Sequence, residues 1–164
     1  MKTARLIELI LAEEHDGYIS VFDRNNHLAK KLSKKGKAVV EPVLDKLFGL
    51  KEKGEIEGKF NGAPIFHLIS VATKHAGSEH AEKLAQMLLW DEICLDTDRS
   101  SRGNILSVLE KVGAEEIIPL LKDYAEKVKL VRYIVEFGES SPEEIHRWDQ
   151  EKVARAIEAC KKRK

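Results

Sequence analysis

Glu55-Ile-Glu-Gly-Lys-Phe-Asn-Gly-Ala-Pro-Ile-Phe-His-Leu68 is the stretch whose reading decides the fold. Its first half alternates polar and apolar residues and puts Ile56 and Phe60 on one face, the period of a strand. Asn61-Gly62 is the strongest short hairpin signal, because both turn residues take positive φ. Ala63 to Leu68 can then return as a second strand, with Pro64 tolerated on an edge. The alternative is a helix opened by Pro64, in which Ile65, Leu68, Ile69 and Ala72 share one face. The alternation and the Asn-Gly turn together predict a two-stranded β element.

Upstream of that stretch the pattern is helical. Leu6, Ile7, Ile10 and Leu11 share a face over Thr3 to Glu14, and His15-Asp-Gly17 ends the segment. Tyr18 to Phe22 is short and rich in β-formers. Asp23 suits an N-cap for a helix carrying Leu28, Ala29 and Leu32, which runs into Ser33-Lys-Lys-Gly36. A third helix follows from about Ala38 to Lys53, with Val39, Val40, Val43, Leu44, Leu47 and Leu50 apolar and Gly54 as its stop. Proline costs about 3 kcal/mol in a helix interior but little in the first turn. Pro42 therefore places the start near Val39.

Downstream no strand signal returns. Ser78 caps a helix with Ala81, Leu84, Ala85, Leu88 and Leu89, and Asp96-Thr-Asp98 breaks the chain. Ile105, Leu106, Leu109 and Val112 make the next helix, stopped at Gly113 and followed by a partner with Ile117, Ile118, Leu120 and Leu121. Val128 to Phe137 is a short apolar piece. Ser140-Ser-Pro-Glu-Glu144 is a strong helix start, and Asp149 is expected to recap a last helix that ends in Lys161-Lys-Arg-Lys164. A domain boundary is expected near residues 69–78.

Composition narrows the function classes. The chain has 164 residues with 28 Lys+Arg against 28 Asp+Glu, so a uniformly basic nucleic-acid coat is excluded while a local basic face is not. No apolar run approaches the roughly 18–20 residues of a membrane span, and Met1-Lys-Thr lacks the apolar stretch of a secretion signal. A cytoplasmic address without membrane contact is the expectation. Cys94 reads as a buried small hydrophobe and Cys160 as an exposed tail residue.

Two resemblances follow from these residues. Leu28-Ala-Lys-Lys-Leu32, then Val43, Leu47, Leu50 and Gly54-Glu-Ile56, then Phe66-His-Leu68 after the Asn-Gly turn, resemble the winged helix-turn-helix family over about residues 1–70. In that family the third helix enters the major groove. Here Glu41, Pro42 and Asp45 stand near its start, so the resemblance implies DNA contact through phosphates rather than base edges. Leu32-Ser-Lys-Lys-Gly36 with Pro42-Val-Leu44 also lines up with Leu109-Glu-Lys-Val-Gly113 and Pro119-Leu-Leu121. In both, leucine lies four residues before the glycine and proline six after it. His75-Ala-Gly77 with Ala81, Leu84 and Ala85 aligns more weakly between them. With Asp96-Thr-Asp98 and Arg102, this resembles HEAT-type helical repeats, clearest over about 96–138, which stack helix pairs and bind other proteins.

Candidate chemistry concentrates in one basic stretch. Between Arg24 and Lys59 ten Lys/Arg face five acids, whereas residues 71–164 carry 16 basic and 18 acidic residues. Arg24, Lys30, Lys34, Lys35 and Lys37 are placed to meet a phosphate backbone, Lys46 to face a groove and Lys59 to sit on the wing. The plain reading of the same lysines is a solvated face. His75 and His80, five apart, fall on different helix faces, and His15, His67 and His146 have no companion at ligand spacing; they read as polar surface residues. No nucleophile elbow, phosphate loop or dinucleotide fingerprint occurs, so no catalytic residue, metal or cofactor is expected. Trp90 and Trp148 read as core or rim packing.

The expectation is a mainly α chain: a winged-helix domain over 1–70 with a small two-stranded wing, and a helical domain of HEAT-like antiparallel pairs over 71–164. Its expected function is non-enzymatic, regulatory DNA binding, with duplex DNA held by its phosphates and a protein partner or self-association through the helical part. The alternative is a HEAT-type α-solenoid adaptor without nucleic-acid binding.

Overall fold

The computed structural model describes residues 1–12, 27–56, 63–94, 100–130 and 141–163. Every α-helix or strand assigned among these residues is a helix: α1 (Thr3–Leu11), α2 (His27–Ser33), α3 (Val40–Glu52), α4 (Ala63–His75), α5 (Ala81–Met87), α6 (Asp91–Cys94), α7 (Ser100–Val112), α8 (Ile118–Leu130) and α9 (Pro142–Lys161). Short 3-10 helices at Gly36–Val39, Ser78–His80 and Glu115–Ile117 lead into α3, α5 and α8. The chain divides into two compact units, Met1–Ala76 and Gly77–Lys164.

The two-stranded wing is overturned. Ala63 to Leu68, the expected second strand, is the first half of α4, and no strand occurs among the described residues. Residues 57–62, with the Asn61-Gly62 turn, lie outside the described residues. A strand would send Ile65 and Leu68 to opposite faces, whereas a helix sends Ile65, Leu68, Ile69 and Ala72 to one. All four are fully buried, and α4 packs on α1, α2 and α3. Burying one such large aliphatic side chain is worth about 1.5–3 kcal/mol, while β-propensities span only about 1 kcal/mol. Burial wins. Pro64 costs nothing in the first turn, where its missing N–H has no partner to lose.

In the first unit, Leu6, Ile7 and Ile10 of α1 meet Leu32 of α2 and the stripe Val40, Val43, Leu44, Leu47 and Leu50 of α3. Gly36 (φ +66°) turns the chain out of α2, and Gly54 (φ +68°) ends α3. At Gly54 the Glu55 N–H donates to Leu50 O at 2.9 Å and the Gly54 N–H to Lys51 O at 3.1 Å, a Schellman cap.

In the second unit α9 lies along both α7 and α8, and α5 packs against α7. α9 begins with a capping box: Ser141 Oγ accepts from Glu144 N–H at 3.2 Å, and Glu144 Oε2 accepts from Ser141 N–H at 2.8 Å. It continues unbroken past Asp149, which caps nothing. Ile145, Asp149, Val153, Ala156 and Cys160 are its buried face. Cys160, expected in an exposed tail, is therefore a core residue. The helices of a corner do not form the expected antiparallel pair with extensive contact: α7 and α8 touch little, and α9 covers both.

Candidate interaction surfaces

The basic residues of the first unit fall on one corner. Lys30 and Lys31 lie in the last turn of α2, Lys34 and Lys35 form the turn, and Lys37 lies in the 3-10 helix; all five side chains are exposed. Gly36 lets the chain reverse between them. Such a cluster of ammonium groups attracts polyanions with an affinity that salt screens. Lys46 has another task. Its Nζ lies 2.6 Å from Glu8 Oε1 in an exposed ion pair that joins α3 to α1. Arg24 and Lys59 lie outside the described residues.

Ser33 Oγ and His75 Nε2 are 2.9 Å apart, at the C-terminal ends of α2 and α4. A hydroxyl on an imidazole is the first half of a nucleophile–base pair, but the second half is an orienting carboxylate. Among the described residues none is recorded on His75. The pair instead fastens two helix ends. His67 and His80, expected at the surface, are buried. His80 Nδ1 accepts from the Gly77 N–H at 3.0 Å, which holds the entry to the 3-10 helix and α5. No cluster of three or more His, Cys, Asp or Glu able to hold a metal occurs among the described residues.

The second unit contains a polar network that the sequence reading missed. Arg102 of α7 and Asp149 of α9 are both fully buried; Nε donates to Oδ1 at 2.8 Å and Nη2 to Oδ2 at 3.4 Å. Tyr124 of α8 donates its hydroxyl to the same Oδ1 at 3.2 Å. Three helices thus meet on one carboxylate. Trp148 lies over this network, its ring 5.8 Å from Arg102 Cζ and 5.7 Å from Lys152 Nζ. The signal was present in the spacing: counted from the Ser141 cap, Asp149 and Cys160 fall on the same face as Ile145, Val153 and Ala156.

A surface groove of about 460 Å³ lies at the C-terminal parts of α7 and α9. It is lined by Glu110 together with Ala154, Arg155, Glu158, Ala159, Lys162 and Arg163. Arg163 is turned inward, donating to the carbonyls of Gly113 at 3.0 Å and Glu110 at 2.6 Å. Lys161 pairs with Glu158 at 2.5 Å, and its hydrogen bond holds that carboxyl below the ordinary value.

The two units repeat one plan. In each, a helix ends at a corner glycine (Gly36, Gly113), a 3-10 turn leads to a second helix, and a third helix covers both. His75, the last residue of α4, meets the Ser33 side chain three residues before Gly36, and Arg163, two residues past α9, donates to the Glu110 carbonyl three residues before Gly113. Gly77 opens a third corner before α5. No protein-family model matches the chain, and neither a curated protein nor a solved structure matches it.

Proposed function

We propose that this chain is a non-enzymatic protein of recurring helical units, acting as an adaptor for other proteins. The observation that carries the reading is the recurrence of helix, corner glycine, 3-10 turn, second helix and covering third helix at Gly36 and Gly113. Stacked units of this kind present long helical faces whose outer residues are free to vary, and such faces suit protein recognition. Cross-linking in cells, followed by reconstitution of the captured complex from purified components, tests it; self-association is read by sedimentation across protein concentration. A chain that stays monomeric and forms no reconstituted complex overturns the adaptor.

A second reading is favoured by the lysine corner alone. Lys30, Lys34, Lys35 and Lys37 are all exposed on one turn and suit the phosphate backbone of duplex DNA. Titration of a labelled duplex against salt tests it. Affinity that falls with salt and with Lys34→Ala, Lys35→Ala and Lys37→Ala together supports DNA contact; negligible affinity at low salt removes it.

A further inference from the structure

The lysine corner of the first unit extends beyond one stretch of chain. Ser33 is the last residue of α2 and His75 the last of α4. Their 2.9 Å contact, across 42 positions of sequence, brings the two C-terminal ends together. α4 also packs on the 3-10 helix Gly36–Val39 that follows the turn. Lys74, exposed and next to His75, therefore stands at the same end of the unit as Lys30, Lys31, Lys34, Lys35 and Lys37.

The charge at this corner has one sign. The segments that build it, residues 27–40 and 63–76, hold six lysines and no Asp or Glu. Glu41 and Asp45 follow on α3, and Glu41, four residues after Lys37, is placed to answer that lysine. Among the described residues the side chains of Lys31, Lys34, Lys35 and Lys74 meet no acid. Helix dipoles do not absorb the excess: each C-terminus is equivalent to about −0.5 elementary charge, so two ends leave most of the six ammonium charges. The corner also has no apolar anchor of the kind that protein contacts use, since Met1 is the only large apolar side chain exposed among the described residues. A phosphate backbone needs no such anchor; it asks for cations and polar donors along its path.

We propose that the phosphate-contacting surface of the first unit spans both helix ends, with Lys74 of α4 meeting the duplex backbone alongside Lys31, Lys34 and Lys35. The proposal rests on the DNA reading of the lysine corner and adds to it a contact from a helix outside the α2–α3 turn.

The test uses the full chain and a short labelled duplex of arbitrary sequence. Fluorescence anisotropy at a series of salt concentrations gives the slope of log affinity against log salt. The expected result is that Lys34→Ala and Lys74→Ala each flatten the slope by about 0.9, the value of one phosphate contact. Lys122→Ala, exposed on α8 of the second unit, should leave it unchanged. All three lysines lie at the surface, and an unchanged melting temperature verifies the fold. A slope that Lys34→Ala flattens and Lys74→Ala does not overturns the two-ended surface while the DNA reading stands. Negligible duplex binding at low salt overturns both. Polyglutamate that displaces the duplex at equal charge concentration overturns the phosphate assignment in favour of an acidic protein.

Discussion

Arg102 donates to Asp149 through two nitrogens, and neither side chain has any exposed surface. An ion pair taken out of water is costly unless every polar atom finds a partner, and here Tyr124 supplies a further donor to the carboxylate. The pair ties the first turn of α7 to the middle of α9. Through Tyr124 the same carboxylate also meets α8.

Removing one partner leaves the other charge buried alone, which costs about 3–5 kcal/mol. Arg102→Met and Asp149→Leu are each expected to lose that much in urea unfolding. The double variant is expected to recover most of it, because it buries no charge. Tyr124→Phe removes one hydrogen bond to a charged group and should cost about 1.5 kcal/mol. A double-mutant cycle in which the two losses simply add would remove the coupling claimed for the pair.

The two corner glycines should respond differently to alanine. At Gly113 a Cβ would stand 2.6 Å from Ile117 Cδ1, 2.7 Å from Cys160 Sγ and 2.7 Å from Leu109 O. Overpacking of that kind costs about 1–3 kcal/mol. At Gly36 a Cβ meets nothing within 4 Å, but φ is +66°. The cost there is the left-handed backbone, about 1–2 kcal/mol. Gly36→Asn should recover part of it, since asparagine tolerates that region, whereas Gly113→Asn should be worse than Gly113→Ala. Chemical denaturation of the four variants decides between the two origins.

Ser141 starts α9 by capping Glu144, and Glu144 answers on the Ser141 N–H. Ser141→Ala should cost about 1 kcal/mol. Hydrogen exchange should speed up first at the amides of residues 143–145, and Ser141→Asp should restore most of the loss.

Cys94 titrates with the fold. Burial raises its thiol from 9.0 to about 11. The folded chain therefore holds this proton more tightly than the unfolded chain. The stability it contributes is complete below pH 9 and is lost as pH rises from about 9 to about 11. Cys94→Ala should flatten the decline of stability over that window, as followed by urea unfolding at successive pH values. Native-state thiol labelling should be slow at both Cys94 and Cys160, since each is buried and burial raises each thiol.

Legibility differed along the chain for identifiable reasons. The mainly helical class followed from apolar spacing, and α3 ends where Gly54 said it would because a left-handed residue is a local requirement. Ser141 was readable for the same reason: a cap involves four consecutive residues and nothing else. Residues 63–68 were misread because Pro64, Ile65 and Leu68 satisfy a short edge strand and a first helical turn equally well. The lysine corner was readable as a cluster, while the pairing of Lys46 with Glu8 was not, because those residues are far apart in sequence.

The sequence by itself determined the mainly helical class, the stop of α3 at Gly54 and the start of α9 at Ser141, which depend on backbone geometry within a turn or two. Tertiary structure alone decided that α4 is a helix, that Asp149 answers Arg102, and that Arg155 and Lys162 flank a groove. Each of those depends on which surfaces meet. Burial free energy and the cost of a buried charge are set by the neighbour across the interface, and a single strand of sequence does not name that neighbour.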